Sequence, residues 1–218
     1  MEAVRSVLDF ILHVDRHLAV LVQSYGAWTY GILGLILFCE TGLVVTPFLP
    51  GDSLLFAAGA LAATGAFHVE YLYPLLFCAV VLGDNVNYWV GSLVGPRAFS
   101  GRVRFLKPRH LGRTQQFFAK YGGKTIVLAR FVPIVRTYTP FVAGAGRMPY
   151  PRFLLFSVLG AALWITIFLW GGYFFGNIPV VRENFGLVVI AIILLSVVPA
   201  VVEIVRHKNP EVRSQNSE

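Results

Sequence analysis

The sequence predicts an all-α polytopic membrane protein, an inverted repeat of two facing re-entrant helical hairpins joined by about three full transmembrane helices and amphipathic helices. Three observations carry this prediction. The 218 residues are 56% hydrophobic and only 13% charged, with a mean hydropathy of +0.69, well above a soluble domain. Three apolar runs reach the ~20 residues that a helix needs to cross the hydrocarbon. Two further apolar stretches are interrupted by prolines and charges, and the interruptions follow one plan.

Segment 1–26 scatters acids through "MEAVRSVLDFILHVDRHLAVLVQ" and has no small-residue cleavage site, which predicts an amphipathic segment of the mature protein rather than a signal peptide. Burying it as a span would carry Asp9, His13, Asp15, Arg16 and His17 into hydrocarbon. Cys39 and Cys78 both lie in apolar runs and suggest neither a disulfide framework nor a zinc site. His13, His17, His68, His110 and His207 form no ligand spacing, so no metal or other cofactor is expected.

Residues 28–95 form the first repeat. Its broken stretch, Trp28 to Phe67, carries "FCETGLVVTPFLPGD", with Glu40, Pro47, Pro50, Gly51 and Asp52 in the middle of an apolar run. Proline removes a backbone donor and turns its predecessor out of the helix, and freed carbonyls persist at membrane depth only against protein or a wet cavity. This predicts a hairpin with its tip near the midplane, the second arm beginning at "LPGD" with Asp52 as cap. The span Tyr71 to Gly95 follows and contains "GDNVNY". Asp84 there reads as a second proton site or, slightly favoured by its asparagine neighbours, as a hydrogen-bonding partner for a hairpin's broken backbone.

The linker 96–124 is basic. No acid occurs between Asp84 and Glu183, while Arg97, Arg102, Arg104, Lys107, Arg109, Arg113, Lys120 and Lys124 crowd together. Beside membrane spans such a loop marks the cytoplasmic side, with a nucleic-acid patch as the alternative. Residues 125–176 form the second repeat, with a broken stretch Thr125 to Gly146 interrupted by "VPIVRTYTP" and a span Phe153 to Gly176. Arg130 and Arg136 flank its tip, and Pro133, Thr137, Tyr138 and Pro140 support it; Tyr138 and Thr139 either help hold a phosphate or satisfy carbonyls freed at Pro140. A final span, 185–205, leads to a tail, 206–218, whose Arg206, Lys208 and Arg213 place it in the cytoplasm.

The repeat shows in spacing. Glu40 stands to Pro50 as Arg130 stands to Pro140, "WVGSLVG" parallels "WGGYFFG", and Tyr-Gly precedes each hairpin. Arg147 and Arg152 open the second hairpin to the cytoplasm, so the first opens outward and the pair is inverted, with segment 1–26 at the outer face. The Gly-x-x-x-Gly spans would serve to pair with each other or with a second copy in a homo-oligomer.

Two acids and two arginines near the midplane need a shared polar cavity, because one isolated charge costs at least about 2.5–3.5 kcal/mol there. Arginine's planar fork suits the phosphate of an anionic lipid, and a buried carboxylate can carry a proton. The reading assigns Arg130 and Arg136 to the lipid phosphate and Glu40 and Asp52 to proton coupling. The rival reading makes all four a buried neutral glue. No P-loop and no Ser-His-Asp order occurs, so an enzyme is not expected.

"FCETGLVVTPFLPGDSLL" and "LARFVPIVRTYTPFVAG" closely resemble the two signature stretches of the bacterial DedA family, and the likeness extends to "GDNVNYWVGSLVG" and "GGYFFGNIP". The resemblance implies a multi-pass protein of the bacterial inner membrane with two facing re-entrant helices. It also implies return of undecaprenyl phosphate to the cytoplasmic leaflet, driven by the proton motive force in some members. The family's acidic pair falls on Glu40 and Asp52 and its arginine pair on Arg130 and Arg136, with no departure at those places. Relatives sharing the domain are described as phospholipid scramblases, so an uncoupled scramblase and a membrane scaffold stay open as alternatives.

Overall fold

Proline and glycine decide where the helices stop. The computed structural model describes residues 20, 24–43, 51–98, 122–183, 187–188 and 190–191, and every regular element among them is helical. Helix α1, Trp28–Gly42, ends where Leu43 turns extended and returns its N–H to the Cys39 carbonyl at 3.0 Å. Helix α2, Gly51–Ala63, carries Asp52 in its first turn, where a carboxylate suits the positive end of the helix dipole. Arms of 15 and 13 residues rise only about 20 Å at ~1.5 Å per residue, short of the ~30 Å hydrocarbon core. Pro47 and Pro50 lie outside the described residues, as do 1–19, most of the basic linker, most of the final span and the tail.

Helix α3, Val69–Ala98, begins two residues before the expected Tyr71, and its apolar part, Val69–Gly95, is long enough to cross a membrane. Helix α4, Lys124–Ala129, and helix α5, Pro133–Ala145, form the second broken pair. Here the sequence reading needs correction. The interruption sits at Arg130–Val132, and Pro140 lies inside a continuous helix. Val132 is extended (φ −117°), as the residue before a proline prefers, and Pro133 occupies a first-turn position where its missing N–H costs nothing. Thr139 Oγ1 donates to the Val135 carbonyl at 2.7 Å, one turn back and one residue from the carbonyl that Pro140 leaves without its usual donor.

Helix α6, Tyr150–Ile165, runs through a π-helical turn, Thr166–Trp170, into α7, Gly171–Phe175. Together, Tyr150–Phe175 is the second helix long and apolar enough to cross a membrane. A short helix α8, Pro179–Glu183, follows.

Lipid tails are as apolar as leucine, so helices in a membrane are held chiefly by close packing, and small residues at the contacts permit it. Besides the contact of α1 with α3, where Gly42 meets Gly83, two such contacts stand out. Helix α2 lies against the π turn and α7: Gly59 faces the Leu169 carbonyl and Tyr173 nitrogen, Gly172 faces the Phe56 carbonyl, and Gly176 faces Ala60. Helix α5 lies against the later part of α3: Gly144 faces the Tyr88 carbonyl and Ser92 nitrogen, Gly91 faces the Phe141 carbonyl, and Gly95 faces Ala145. The correspondence runs residue for residue. Phe56, Gly59 and Ala60 stand to Phe141, Gly144 and Ala145 at one constant spacing, and Tyr88, Gly91, Ser92 and Gly95 stand to Leu169, Gly172, Tyr173 and Gly176 at another.

The remaining interior divides in two. Leu33, Leu37, Leu55, Leu72, Leu76, Trp164, Ile165 and Leu169 bury together where α1, α2, α3 and α6 meet. Tyr88, Ile126, Ala143, Met148 and Phe153 form a smaller cluster, with the Tyr88 and Phe153 rings stacked at 4.4 Å and the Tyr88 hydroxyl donating to the Met148 carbonyl at 2.5 Å.

Candidate functional site

A cation in the first turn of a helix opposes the dipole. Arg136 sits there, in α5, and two carboxylates offset the conflict: Nη1 donates to Asp52 and Nη2 to Glu40. Glu40 lies in the last turn of α1 and Asp52 in the first turn of α2, so one guanidinium ties together both ends of the first broken pair. All three are buried, Glu40 to 1% exposure. Gly51 is required at the junction because a Cβ there would overlap the Glu40 carboxylate. Trp164 completes this half: Nε1 donates to Asp52 Oδ1 at 2.8 Å, and its ring lies 4.8 Å from the Arg136 guanidinium carbon and 5.9 Å from that of Arg130.

The other half is built on Arg130, which follows the last residue of α4. Its Nη2 donates to Asp84 and its Nη1 to the Ser157 carbonyl at 3.2 Å, while the Ser157 hydroxyl donates to Asp84 Oδ2 at 2.5 Å. This corrects the favoured expectation for Asp84, which is an arginine's counterion and not a prop for loose backbone. That second task falls to Asn87, whose Nδ2 donates to the Thr41 carbonyl at 2.9 Å and the Thr137 carbonyl at 2.7 Å, joining the end of α1 to the middle of α5. Two carbonyls require the amide nitrogen, which fixes the side chain's orientation and leaves Oδ1 buried with no hydrogen-bond partner among the described residues. Asn85 donates to the Val81 carbonyl at 2.6 Å and accepts from the Tyr150 hydroxyl at 2.9 Å.

The structure therefore brings Glu40, Asp52, Arg136, Arg130 and Asp84 into one cluster, divided into two ion-pair sets. Thr137 contributes a carbonyl, and Thr139 and Pro140 help line a narrow crevice with Asp84, Ile126, Arg130 and Arg136. The crevice has room for little more than a water molecule. Tyr138 is 40% exposed and takes no part in these bonds. Glu40 Oε2 is buried beside Gly51. Three carboxylates face two guanidiniums, so the cluster with every group ionised holds one uncompensated negative charge.

Sequence reasoning missed Trp164 and Ser157. The available signal was the small and polar face Ser157, Gly160, Ala161, Trp164, at helical spacing in an otherwise apolar span. Chemically, the Arg136 fork is taken up by two carboxylates, and the Arg130 fork by Asp84 on one nitrogen and the Ser157 carbonyl on the other. An outside anion reaches either guanidinium only by displacing an acid, and removing one acid's charge favours that exchange.

Long apolar helices arranged around a buried ion cluster define a helical membrane protein. A family model described as the VTT domain matches residues 49–174, a stretch that takes in Asp52, Asp84, Arg130, Arg136 and Trp164. Protein DedA of Escherichia coli (strain K12) is 53% identical over 217 residues, covering 98% of this chain and 99% of its own. An uncharacterized membrane protein of Mycobacterium leprae (strain TN) is 40% identical over 187 residues, covering 84% and 82%. The inner membrane protein YqjA of Escherichia coli (strain K12) is 35% identical over 170 residues, covering 78% and 77%. No solved structure matches the chain. The chain belongs to the DedA family.

Proposed function

We propose that this protein is a transporter that moves an anionic lipid phosphate between leaflets of the bacterial inner membrane, with undecaprenyl phosphate returning to the cytoplasmic leaflet at the expense of the proton motive force. The observation that carries the reading is Arg136 held between Glu40 and Asp52. Phosphate and carboxylate are rivals for one planar fork, so protonating the acids and loading the phosphate become linked events. Arg130 offers a second guanidinium to the same crevice. The matching glycine contacts of α2 on α7 and of α5 on α3 support an inverted repeat, and arms too short to cross support re-entrant hairpins. Two hairpins opening to opposite sides supply the two access states that alternating transport requires.

One feature favours the glue reading, in which the protein is a scaffold: each arginine already has a buried carboxylate counterion. Translocation in liposomes separates the readings. Purified protein is tested on labelled undecaprenyl phosphate and on ordinary phospholipid, with and without a pH gradient. A coupled transporter moves the polyprenyl phosphate, is stimulated by the gradient, and loses that stimulation in Glu40→Gln. Equal, gradient-independent movement of both lipids makes the protein a scramblase, and no movement of either leaves the scaffold.

A further inference from the structure

Asp84 is the one carboxylate of the cluster that lies outside the two broken helix pairs, on the spanning helix α3. It shares no arginine with Glu40 and Asp52. Its own bonds are to Arg130 and to the Ser157 hydroxyl, and it lines the crevice together with both arginines. We propose that Asp84 is a built-in stand-in for the ligand's phosphate: it occupies the Arg130 fork when the site is empty, and a phosphate monoester reaches Arg130 by displacing it. The inference rests on the transport reading and adds to it a second, separate competition that sets affinity.

The geometry of the pair fits such exchange better than permanent glue. One Asp84 oxygen, Oδ2, accepts both from Arg130 and from Ser157, so the carboxylate uses a single oxygen where a fork-to-fork pair would use both. Arg130's other terminal nitrogen is held by the Ser157 carbonyl, which anchors the guanidinium in place when Asp84 leaves. The charged groups around Asp84 are Arg130 at the end of α4, Arg136 on α5, Glu40 on α1 and Asp52 on α2; α6 contributes the neutral Ser157 and Trp164. Protonation of Asp84 frees Arg130 for the ligand, so phosphate binding through this half strengthens as pH falls, until the phosphate itself takes up a proton.

The test is binding to the full chain in nanodiscs across a range of pH, with a short-chain polyprenyl monophosphate, the matching polyprenyl alcohol and inorganic phosphate as probes. Asp84→Asn is expected to bind the monophosphate about tenfold more tightly near neutral pH, the worth of roughly one charge-assisted contact, and to do so with a flattened pH profile. Ser157→Ala removes only the donor that steadies the Asp84 charge and is expected to shift the wild-type profile toward higher pH. It decides the matter should Asp84→Asn fail to fold. Inorganic phosphate following the same pattern makes the free phosphate group the ligand; the monophosphate alone doing so makes it a lipid head group. Wild-type affinity and an unshifted profile in the folded variants overturn the role of Asp84 while leaving transport intact. Failure of wild type and variants alike to bind any phosphate overturns the transport reading itself.

Discussion

Arg136 and Trp164 share Asp52: the guanidinium donates to the carboxylate from one side, the indole N–H donates to it at 2.8 Å from another, and the ring lies 4.8 Å from the guanidinium carbon. The tryptophan thus steadies the acid through its N–H and the cation through its face. Trp164→Phe keeps the face and deletes the donor. It is expected to cost about 1.5–3 kcal/mol in stability, the range for a hydrogen bond to a charged group, and thermal unfolding in detergent measures it. Trp164→Leu, which loses the face as well, is expected to fall lower.

Arg136→Lys tests the fork. A lysine is a point charge on a flexible stem and does not hold two carboxylates or a phosphate with a planar two-pronged fork. The expected outcome is a folded protein with transport of the polyprenyl phosphate reduced by about tenfold or more, equivalent to at least one lost charge-assisted contact. Wild-type rates would show that charge alone suffices.

Gly51→Ala addresses the junction between α1 and α2. The new methyl overlaps the Glu40 carboxylate, so Glu40 must leave Arg136 while the backbone of α2 remains compatible with alanine. Gradient-driven transport is expected to be lost and the melting temperature to fall, since breaking a buried ion pair costs about 3–5 kcal/mol. The readout is the ratio of transport with a pH gradient to transport without one.

The paired glycines give a structural test. Gly59→Ala and Gly144→Ala each push a methyl onto a facing backbone, at the Leu169 and Tyr88 carbonyls respectively, and each is expected to destabilise by about 1–3 kcal/mol through overpacking. Gly31→Ala, where a Cβ meets nothing, is expected to be neutral or stabilising. Equal losses at the two paired sites, read by thermal unfolding, fit equivalent roles; a loss at one site alone breaks the equivalence.

Much of this architecture was legible in the residues. The charged pairs Glu40 and Asp52, Arg130 and Arg136 stood out because ions in apolar runs are costly, and the two Trp-x-Gly-x-x-x-Gly motifs fall at the contacts where backbones meet. What the sequence left open was pairing. In "GDNVNY" the carboxylate of Asp84 suits a cation and the amides of Asn85 and Asn87 suit carbonyls, but which arginine and which carbonyls they meet is decided by the register of α3 against α5. Pro140 misled for a related reason. A proline breaks an isolated helix, but α5 is packed along α3 and keeps its course through it.

The glycine contacts cross between the two halves of the chain. Each half of the chain carries a 13-residue helix whose complement lies on the other half's long helix: α2 seats on the π turn and α7, and α5 seats on α3. Residues 51–98 alone would carry one side of each contact and lack the other, as would residues 133–176. The two halves are thus held by each other, and cutting the chain between 98 and 122 is expected to leave two pieces that stay folded only as a complex.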